Sequence, residues 1–141
     1  MKIKKRILIP LIILVSLMVL IIEILSIQES MFFYPSHDSG AYSILSQNTE
    51  FEEIKISYKN NGYLCGWMKY NVDKNEVAPL LIFFGGNAQN SSATCLNYQE
   101  NDIYKYYNEY NFLMVDYPGY GISDGTPSDK NMFEAATLIY D

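Results

Sequence analysis

The sequence is short of the residues on which many catalytic and metal sites depend. Its 141 residues include one histidine, His37, and two cysteines, Cys65 and Cys95. The cysteines are far apart and no C-x-x-C pair occurs, so we expect no disulfide scaffold, no metal site and no cofactor. The two thiols could pair in an oxidising compartment, but a strand cysteine and a helix cysteine are more often separate buried thiols. His37 is therefore the one candidate for a mechanism that needs an imidazole.

Basic residues are also scarce. The chain has 10 basic and 16 acidic residues, and four of the basic ones precede residue 7. Residues 29–141 hold the remaining six basic residues and 15 acidic ones, a net charge of −9. Such an acidic domain is a poor partner for nucleic acid or anionic lipid, and we expect no nucleic-acid binding. A hydrophobic content of 49% excludes a disordered chain.

One long apolar run lies near the N-terminus. Residues 7–22 contain no charge, and the 21 residues 7–27 form a helix about as long as a bilayer core is thick, with Glu23 near its end. A cleaved signal peptide is the alternative, but the first glycine or alanine after the run is Gly40. We therefore predict an uncleaved, single-pass transmembrane helix in contact with membrane lipid. The basic segment 1–6 predicts a cytoplasmic N-terminus and an extracytoplasmic domain.

The next segments predict a connector and a hairpin. Residues 28–50 contain turn formers such as Pro35 and Gly40 and are interpreted as a connector. Residues 51–58 alternate apolar and polar side chains, residues 60–62 are a turn, and residues 63–70 suit a second strand. Together they predict a β-hairpin at the start of a domain that spans 51–141.

The remaining pattern predicts β-α-β-α, which places the fold in the α/β class. The run 80–84 suits a strand buried on both faces, and 112–115 a second one. Between them, 91–107 predicts a helix with Cys95, Tyr98, Ile103 and Tyr106 on its buried side. The tyrosines at 104–110 are interpreted as partly buried packing, with an exposed aromatic surface as the alternative. Ser128 predicts the cap of a last helix.

A glycine-rich turn is the first candidate site. Gly85 and Gly86, followed by Asn87 and Ala88, connect a buried strand to a helix. Backbone N–H groups at such a turn face the carboxyl edge of the sheet, where they can stabilise an anion or a developing oxyanion. A tight turn that needs glycine only for its dihedral angles is the alternative. The spacing of the glycines does not fit a dinucleotide-binding fingerprint.

The second candidate is the loop that begins at Asp116 and has the sequence DYPGYGISDGTPS. An acidic residue in this position more often orders a loop through backbone hydrogen bonds than acts as a base. The order of the elements resembles the N-terminal half of an α/β-hydrolase: a hairpin, a Gly-Gly-Asn-Ala turn, a helix, this loop and a final helix. The similarity covers roughly residues 29–141 and is to membrane-anchored esterases, lipases and serine-peptidase-like members.

The resemblance implies functional roles for individual residues. The N–H of Asn87 would contribute to an oxyanion hole, within a region formed by Gly86, Asn87 and Ala88. Gly85 stands where the family usually has a scaffold histidine. The residues that would order the loop near the site are Asp116, Tyr117, Gly119, Gly121 and Ser123.

The family's nucleophile elbow is not identified in this sequence. The pattern G-x-S-x-G occurs once, at residues 121–125, but its Ser123 lies in the loop after a strand and is not interpreted as a nucleophile elbow. His37 precedes the domain, in the wrong chain order for the family's base. We therefore expect a truncated, membrane-anchored serine hydrolase that is inactive as this chain. A small acyl or peptide substrate is expected only for a full-length form. The alternative is a non-catalytic, membrane-tethered interaction domain.

Overall fold

A computed structural model describes residues 2–73 and 77–141 of the chain. The chain divides into two units, Met1–Phe32 and Phe33–Asp141. The helices are α1 (Lys2–Phe32), α2 (Ser39–Leu45), α3 (Ser91–Glu100) and α4 (Asp129–Tyr140), with 3₁₀ turns at Lys59–Asn61 and Ile103–Tyr107. The strands are β1 (Phe51–Tyr58), β2 (Gly62–Lys69), β3 (Leu80–Phe83) and β4 (Asn111–Val115). The predicted α/β class is confirmed.

The first unit is one helix of 31 residues. Its stretch Leu8–Leu25 has a mean hydropathy of 3.0, and no part of that stretch is buried within the protein. Pro10 is accommodated inside the helix. By length and composition α1 is able to cross a membrane, and it extends beyond the predicted 7–27 at both ends.

The second unit is built on a four-stranded sheet with the order β1-β2-β4-β3. The predicted hairpin is formed by β1 and β2, which pair antiparallel from Phe51 opposite Lys69 to Tyr58 opposite Gly62. Strand β2 continues antiparallel onto β4, and β3 lies parallel to β4. Gly66 is required in β2 because a Cβ there would collide with the backbone of Met114.

The sheet is covered on both faces because consecutive side chains of β4 point to opposite sides. Phe112 and Met114 join a cluster on the side of α2 and α3, which also holds Leu45, Trp67, Cys95 and Tyr104. Leu113 and Val115 join a second cluster with Ala135 and Ile139 of α4. Both faces of β4 are therefore apolar, as the solid run in the sequence predicts.

The connector predicted over 28–50 contains helical residues, because α1 continues to Phe32 and α2 is capped by Asp38, whose side chain accepts from the N–H of Ala41. One expectation needs correction. The helix expected over 91–107 ends at Glu100, and the chain restarts as a 3₁₀ turn after Asp102, which has a φ of 57°.

This break changes the phase of the side chains. Tyr104 is buried, whereas Tyr106, expected on the buried side, is 80% exposed. A helical period holds only while the helix is continuous, so the prediction was wrong for Tyr106, whereas Ile103 is half-buried. The tyrosine-rich segment is thus divided between packing and surface.

Candidate functional site

The turn at 85–88 follows the carboxyl end of β3 and is closed by local hydrogen bonds. The N–H of Gln89 donates to the Gly86 carbonyl at 3.2 Å, and the Gly86 N–H donates to the side-chain Oε1 of Gln89 at 2.6 Å. Ala88 adopts a φ of 63°, in the left-handed region. Gln89 was not recognised from the sequence, and its carboxamide now accepts one of the amides expected to face a ligand.

The side chain of Asn87 ties three parts of the chain together. Its Oδ1 accepts from the N–H of Tyr34 at 2.8 Å, from the hydroxyl of Tyr120 at 2.7 Å and from the N–H of Ala88 at 3.2 Å. The turn is therefore fixed both to the segment before α2 and to the loop after β4. A carboxamide with three donors around one oxygen has a well-defined orientation.

Asp116 follows the carboxyl end of β4 and is buried. Its Oδ1 accepts from the N–H of Ser91 at 2.6 Å, and its Oδ2 accepts from the Ser91 hydroxyl at 2.7 Å. Burial raises the pKa of Asp116 above its ordinary value of 3.8, and the Ser91 donors and the Ile122 N–H only partly oppose this. The carboxylate thus joins the start of α3 to the loop after β4.

The loop after Asp116 is shaped by glycine. Gly119 and Gly121 have φ values of 81° and 52°, and a Cβ on Gly121 would collide with the carboxylate of Asp116. Ser123 donates its hydroxyl to the Asp116 carbonyl at 2.8 Å and accepts from the Cys65 N–H at 2.8 Å. These contacts fix the loop to strand β2.

The ring of Tyr117 packs beside the candidate site, against the residue that follows β3. It stacks on Phe84 with ring centroids 6.0 Å apart, so the end of β3 and the start of the loop are in contact. Burial raises the pKa of Tyr117 above its ordinary value, which keeps its hydroxyl protonated at neutral pH.

A serine, an aspartate and the chain's histidine come together here, but not as a catalytic triad. Ser91 is fully buried and donates directly to Asp116. His37 lies with Nδ1 2.7 Å from the Gly121 carbonyl, which can only accept, so Nδ1 carries a proton. A nucleophile paired with a base requires an accessible hydroxyl donating to an imidazole nitrogen. The contacts at this position are structural.

The space enclosed at the site is small. A cavity of about 10 Å³ lies between the turn and the end of β4, lined by residues that include Gly86, Gln89, Ser91 and Asp116. This volume is too small for a substrate. Among residues 2–73 and 77–141, no group of three or more His, Cys, Asp or Glu side chains is placed to hold a metal ion.

The structure unites the predicted site residues and adds others. The turn and Asp116 follow the carboxyl ends of the neighbouring parallel strands β3 and β4, so they lie at the same end of the sheet. The contacts of Tyr34, Gln89, Ser91 and Tyr120 were not expected. For Ser91 a signal existed, because Asn90 is a good N-cap residue and places the next amide at the helix start, where an acidic side chain is favoured.

Comparison with known proteins identifies the fold. No protein-family model matches the chain. An α/β-hydrolase from Vibrio vulnificus is structurally similar, with a TM-score of 0.52 and 20% identity over 73% of this chain and 34% of that chain. An esterase from Pyrococcus furiosus gives a TM-score of 0.46 at 18% identity, over 77% of this chain and 41% of that one. The chain thus has part of an α/β-hydrolase fold and spans about a third of the length of the Vibrio protein.

Proposed function

We propose that residues 33–141 form one part of a serine-hydrolase site for ester, thioester or amide substrates. The observation that carries this proposal is the placement of the turn 85–88 and of Asp116 at the carboxyl ends of the parallel strands β3 and β4. In open α/β sheets, ligands bind in the crevice at this edge. The α/β-hydrolase fold of the unit supports the same assignment.

Asn87 supplies one oxyanion donor through its backbone N–H in this proposal. Its side chain is already fixed by Tyr34 and Tyr120, and a donor held in place before the reaction needs no reorganisation as charge develops. The second donor in such sites is the amide that follows the nucleophile. The chain's G-x-S-x-G, residues 121–125, lies in the loop after β4, and its Ser123 is buried with its hydroxyl bonded to the Asp116 carbonyl. In this proposal the nucleophile and the amide after it therefore come from outside the 141 residues.

The helix α1 anchors the site to a membrane in this proposal. Its apolar stretch is long enough to span a bilayer, and the four basic residues before residue 7 favour a cytoplasmic N-terminus. The unit 33–141 then lies on the extracytoplasmic side, where it meets acyl or peptide substrates.

The chain by itself is expected to be catalytically silent. The test is incubation of the 141-residue protein with a fluorophosphonate probe, which labels activated serines, and with p-nitrophenyl esters. We expect no labelled serine and no turnover above the buffer rate, because Ser91 and Ser123 are buried and their hydroxyls are both bonded to Asp116. Labelling of any serine would contradict the assignment of the nucleophile to residues outside this chain.

The role of the Asn87 amide is tested in a chain extended by a nucleophile strand, an acid and a histidine. Asn87→Pro removes the N–H, whereas the control Asn87→Ala keeps it and removes the side-chain acceptor of Tyr34, Tyr120 and Ala88. We expect the proline variant to lose about 100- to 1000-fold in kcat and the alanine variant to lose less. Equal losses in folded proteins would assign Asn87 a structural role alone.

The exposed edge of β3 favours a second candidate, a non-catalytic interaction domain tethered to the membrane. Among the described residues β3 pairs only with β4, and its Leu80 is 45% exposed. Such an edge can add a strand from a partner. If the extended chain folds but neither hydrolyses esters nor reacts with the probe, this candidate replaces the hydrolase.

A further inference from the structure

The apolar stretch of α1 contains two polar side chains. Within Leu8–Leu25 these are Ser16 and Glu23, and every other residue is apolar. No part of this stretch is buried within the protein, so both side chains lie on a surface that is in contact with lipid once α1 spans a membrane. What these two side chains bind is then decided by the lipid and by other helices in the same membrane.

Ser16 and Glu23 lie on one face of α1. They are seven residues apart, and at 3.6 residues per turn this spacing returns to within about 20° of the starting direction. The two side chains are then separated by two turns, or about 10 Å along the helix axis. A repeat of seven residues is the spacing of side chains that face a partner helix, and polar residues within such a repeat fix the register and the number of helices.

The depth of Glu23 in a bilayer makes its carboxyl group costly. As a helix, Leu8–Leu25 is about 27 Å long, close to the thickness of the hydrocarbon core. With this stretch centred, Ser16 lies near the midplane and Glu23 lies about 5 Å inside the hydrocarbon boundary. Side chains of a helix lean towards its N-terminus, so Glu23 leans towards the bilayer centre and away from the nearer headgroups. Acidic residues at such positions pair with polar groups of neighbouring helices.

A second copy of α1 supplies matching groups at the same depth. Copies inserted with the same orientation are parallel, so a two-fold axis along the membrane normal places each residue opposite its equivalent. A carboxyl group has two oxygens with about four acceptor sites, so a bond within its own helix leaves capacity for a partner, and its neutral form also donates. A serine hydroxyl both donates and accepts. Glu23 and Ser16 therefore each complement their own equivalents in a second copy.

The sequence of α1 does not favour the other common mode of helix association in membranes. Close approach of two helices depends on small residues such as glycine and alanine at the interface. The first glycine or alanine of the chain is Gly40, beyond the end of α1 at Phe32. Hydrogen bonds between polar side chains are the remaining basis for association, and Ser16 and Glu23 are the polar side chains of the apolar stretch.

We propose that α1 pairs in parallel with α1 of a second copy of this chain, with Ser16 and Glu23 at the interface and hydrogen-bonded to the same residues of that copy. The proposal rests on the membrane anchoring proposed above and is independent of the hydrolase function. The seven-residue spacing predicts a left-handed crossing of the two helices. Besides anchoring the chain, α1 then brings two copies of residues 33–141 together in one membrane.

The strength of pairing is measured by energy transfer between copies of the full chain in phosphatidylcholine vesicles. Donor and acceptor dyes are attached to a cysteine added before Met1, since Cys65 and Cys95 are buried. Energy transfer over a range of protein-to-lipid ratios gives a dissociation constant. We expect Glu23→Leu to raise this constant about tenfold, and Glu23→Gln, which keeps a donor and an acceptor, to stay within about threefold of the wild type. Residues 33–141 are unchanged in all samples, so association through that unit contributes equally.

Two results of this measurement overturn the proposal. One is a wild-type chain that stays monomeric at every ratio, because the partner of Glu23 is then a headgroup or a different protein. The other is a dissociation constant that Glu23→Leu leaves unchanged. Retention of the chain in the vesicles after an alkaline wash is checked first. Loss at that step contradicts the membrane anchoring itself and the pairing with it, so the two failures are distinguished.

The face of α1 that pairs is tested by oxidative crosslinking of single-cysteine variants in the same vesicles. Val19→Cys lies close to the face of Ser16 and Glu23, and the matched control Ile21→Cys lies about 3 Å further along the axis and about 200° around the helix. We expect a disulfide-linked dimer to form at least about fivefold faster with Val19→Cys, and Glu23→Leu to remove this difference. The chain without an added cysteine gives the background from its native thiols. Equal rates, or a faster rate with Ile21→Cys, overturn the assignment of this face.

Discussion

At the residue scale, Asp116 is a buried carboxylate that connects two segments of the candidate site. Its carboxylate accepts two hydrogen bonds from Ser91, and Gly121 leaves room for it. The aspartate thereby connects the start of α3 with the loop after β4. Burial is the largest influence on the pKa of Asp116 and raises it, so the contribution of this residue to stability depends on pH in a defined direction.

We predict that Asp116 favours the folded state more at low pH than at neutral pH. Its folded pKa is raised above the ordinary 3.8, so its contribution is complete below that value and is lost as the pH rises through the folded pKa. The free energy of unfolding of the wild type, relative to Asp116→Asn, should therefore fall between pH 4 and pH 7. Chemical denaturation in detergent micelles at both pH values measures it. An increase over this range would show that the carboxylate is stabilised as an anion.

Both cysteines are predicted to be unreactive in the folded protein. The two thiols are free and buried, and burial raises the pKa of Cys95 to about 12, against an ordinary 9.0. The thiolate fraction of Cys95 at pH 8 is then lower by about 1000-fold, before access is considered. Ellman's reagent should label neither thiol in the native state and both in guanidinium chloride. Rapid native labelling would show that the thiols are accessible.

At the scale of elements, the two outer strands of the sheet differ in charge. Strand β1 includes Glu52, Glu53 and Lys55, and Glu53 pairs with Lys55 at 3.2 Å. Strand β3 has no charged residue, and the sequence contains none from residue 77 to residue 99. Charges on an edge strand prevent pairing with other molecules, so β1 is protected in a way that β3 is not.

We therefore predict that β3 drives self-association of the protein. Leu80→Lys introduces a charge at an exposed position of this strand and should shift the protein towards monomer in sedimentation experiments in detergent. Ser57→Lys, at an exposed position of the already charged β1, is the control and should change little. The idea fails if the two variants sediment alike.

At the scale of the whole molecule, a long apolar helix is joined to an acidic α/β unit. The basic residues before residue 7 favour a cytoplasmic N-terminus, and the net charge of −9 in residues 29–141 does not determine orientation, since acidic residues contribute little to it. The predicted orientation therefore depends on the four basic residues that precede residue 7.

Protease protection checks this orientation. In sealed inverted vesicles, whose cytoplasmic face is outward, we predict that residues 33–141 resist protease until detergent is added. The tyrosine-rich 104–110 segment, with exposed Tyr106, provides cleavage sites once it is accessible. Digestion before detergent is added would place the unit on the cytoplasmic side.

The order of the elements was determined by the sequence alone. Alternation over 51–58 and the solid apolar run from Leu80 set strand character, because a period of two or a two-sided apolar strand reflects which faces are buried. The cap at Ser128 was equally local, and its side chain accepts from the Asn131 N–H as expected. These features depend on residues a few positions apart, so they can be predicted from the sequence.

The connections between distant segments were decided only by the tertiary structure. The bonds from Tyr34 to Asn87 and from Ser91 to Asp116 join residues 53 and 25 positions apart, and the pairing of β4 with both β2 and β3 brings them together. The break after Glu100 was likewise invisible, because the left-handed Asp102 interrupts a polar and aromatic run without a glycine or proline. A local pattern specifies which residues are buried, but side-chain partners are selected by packing across the sheet.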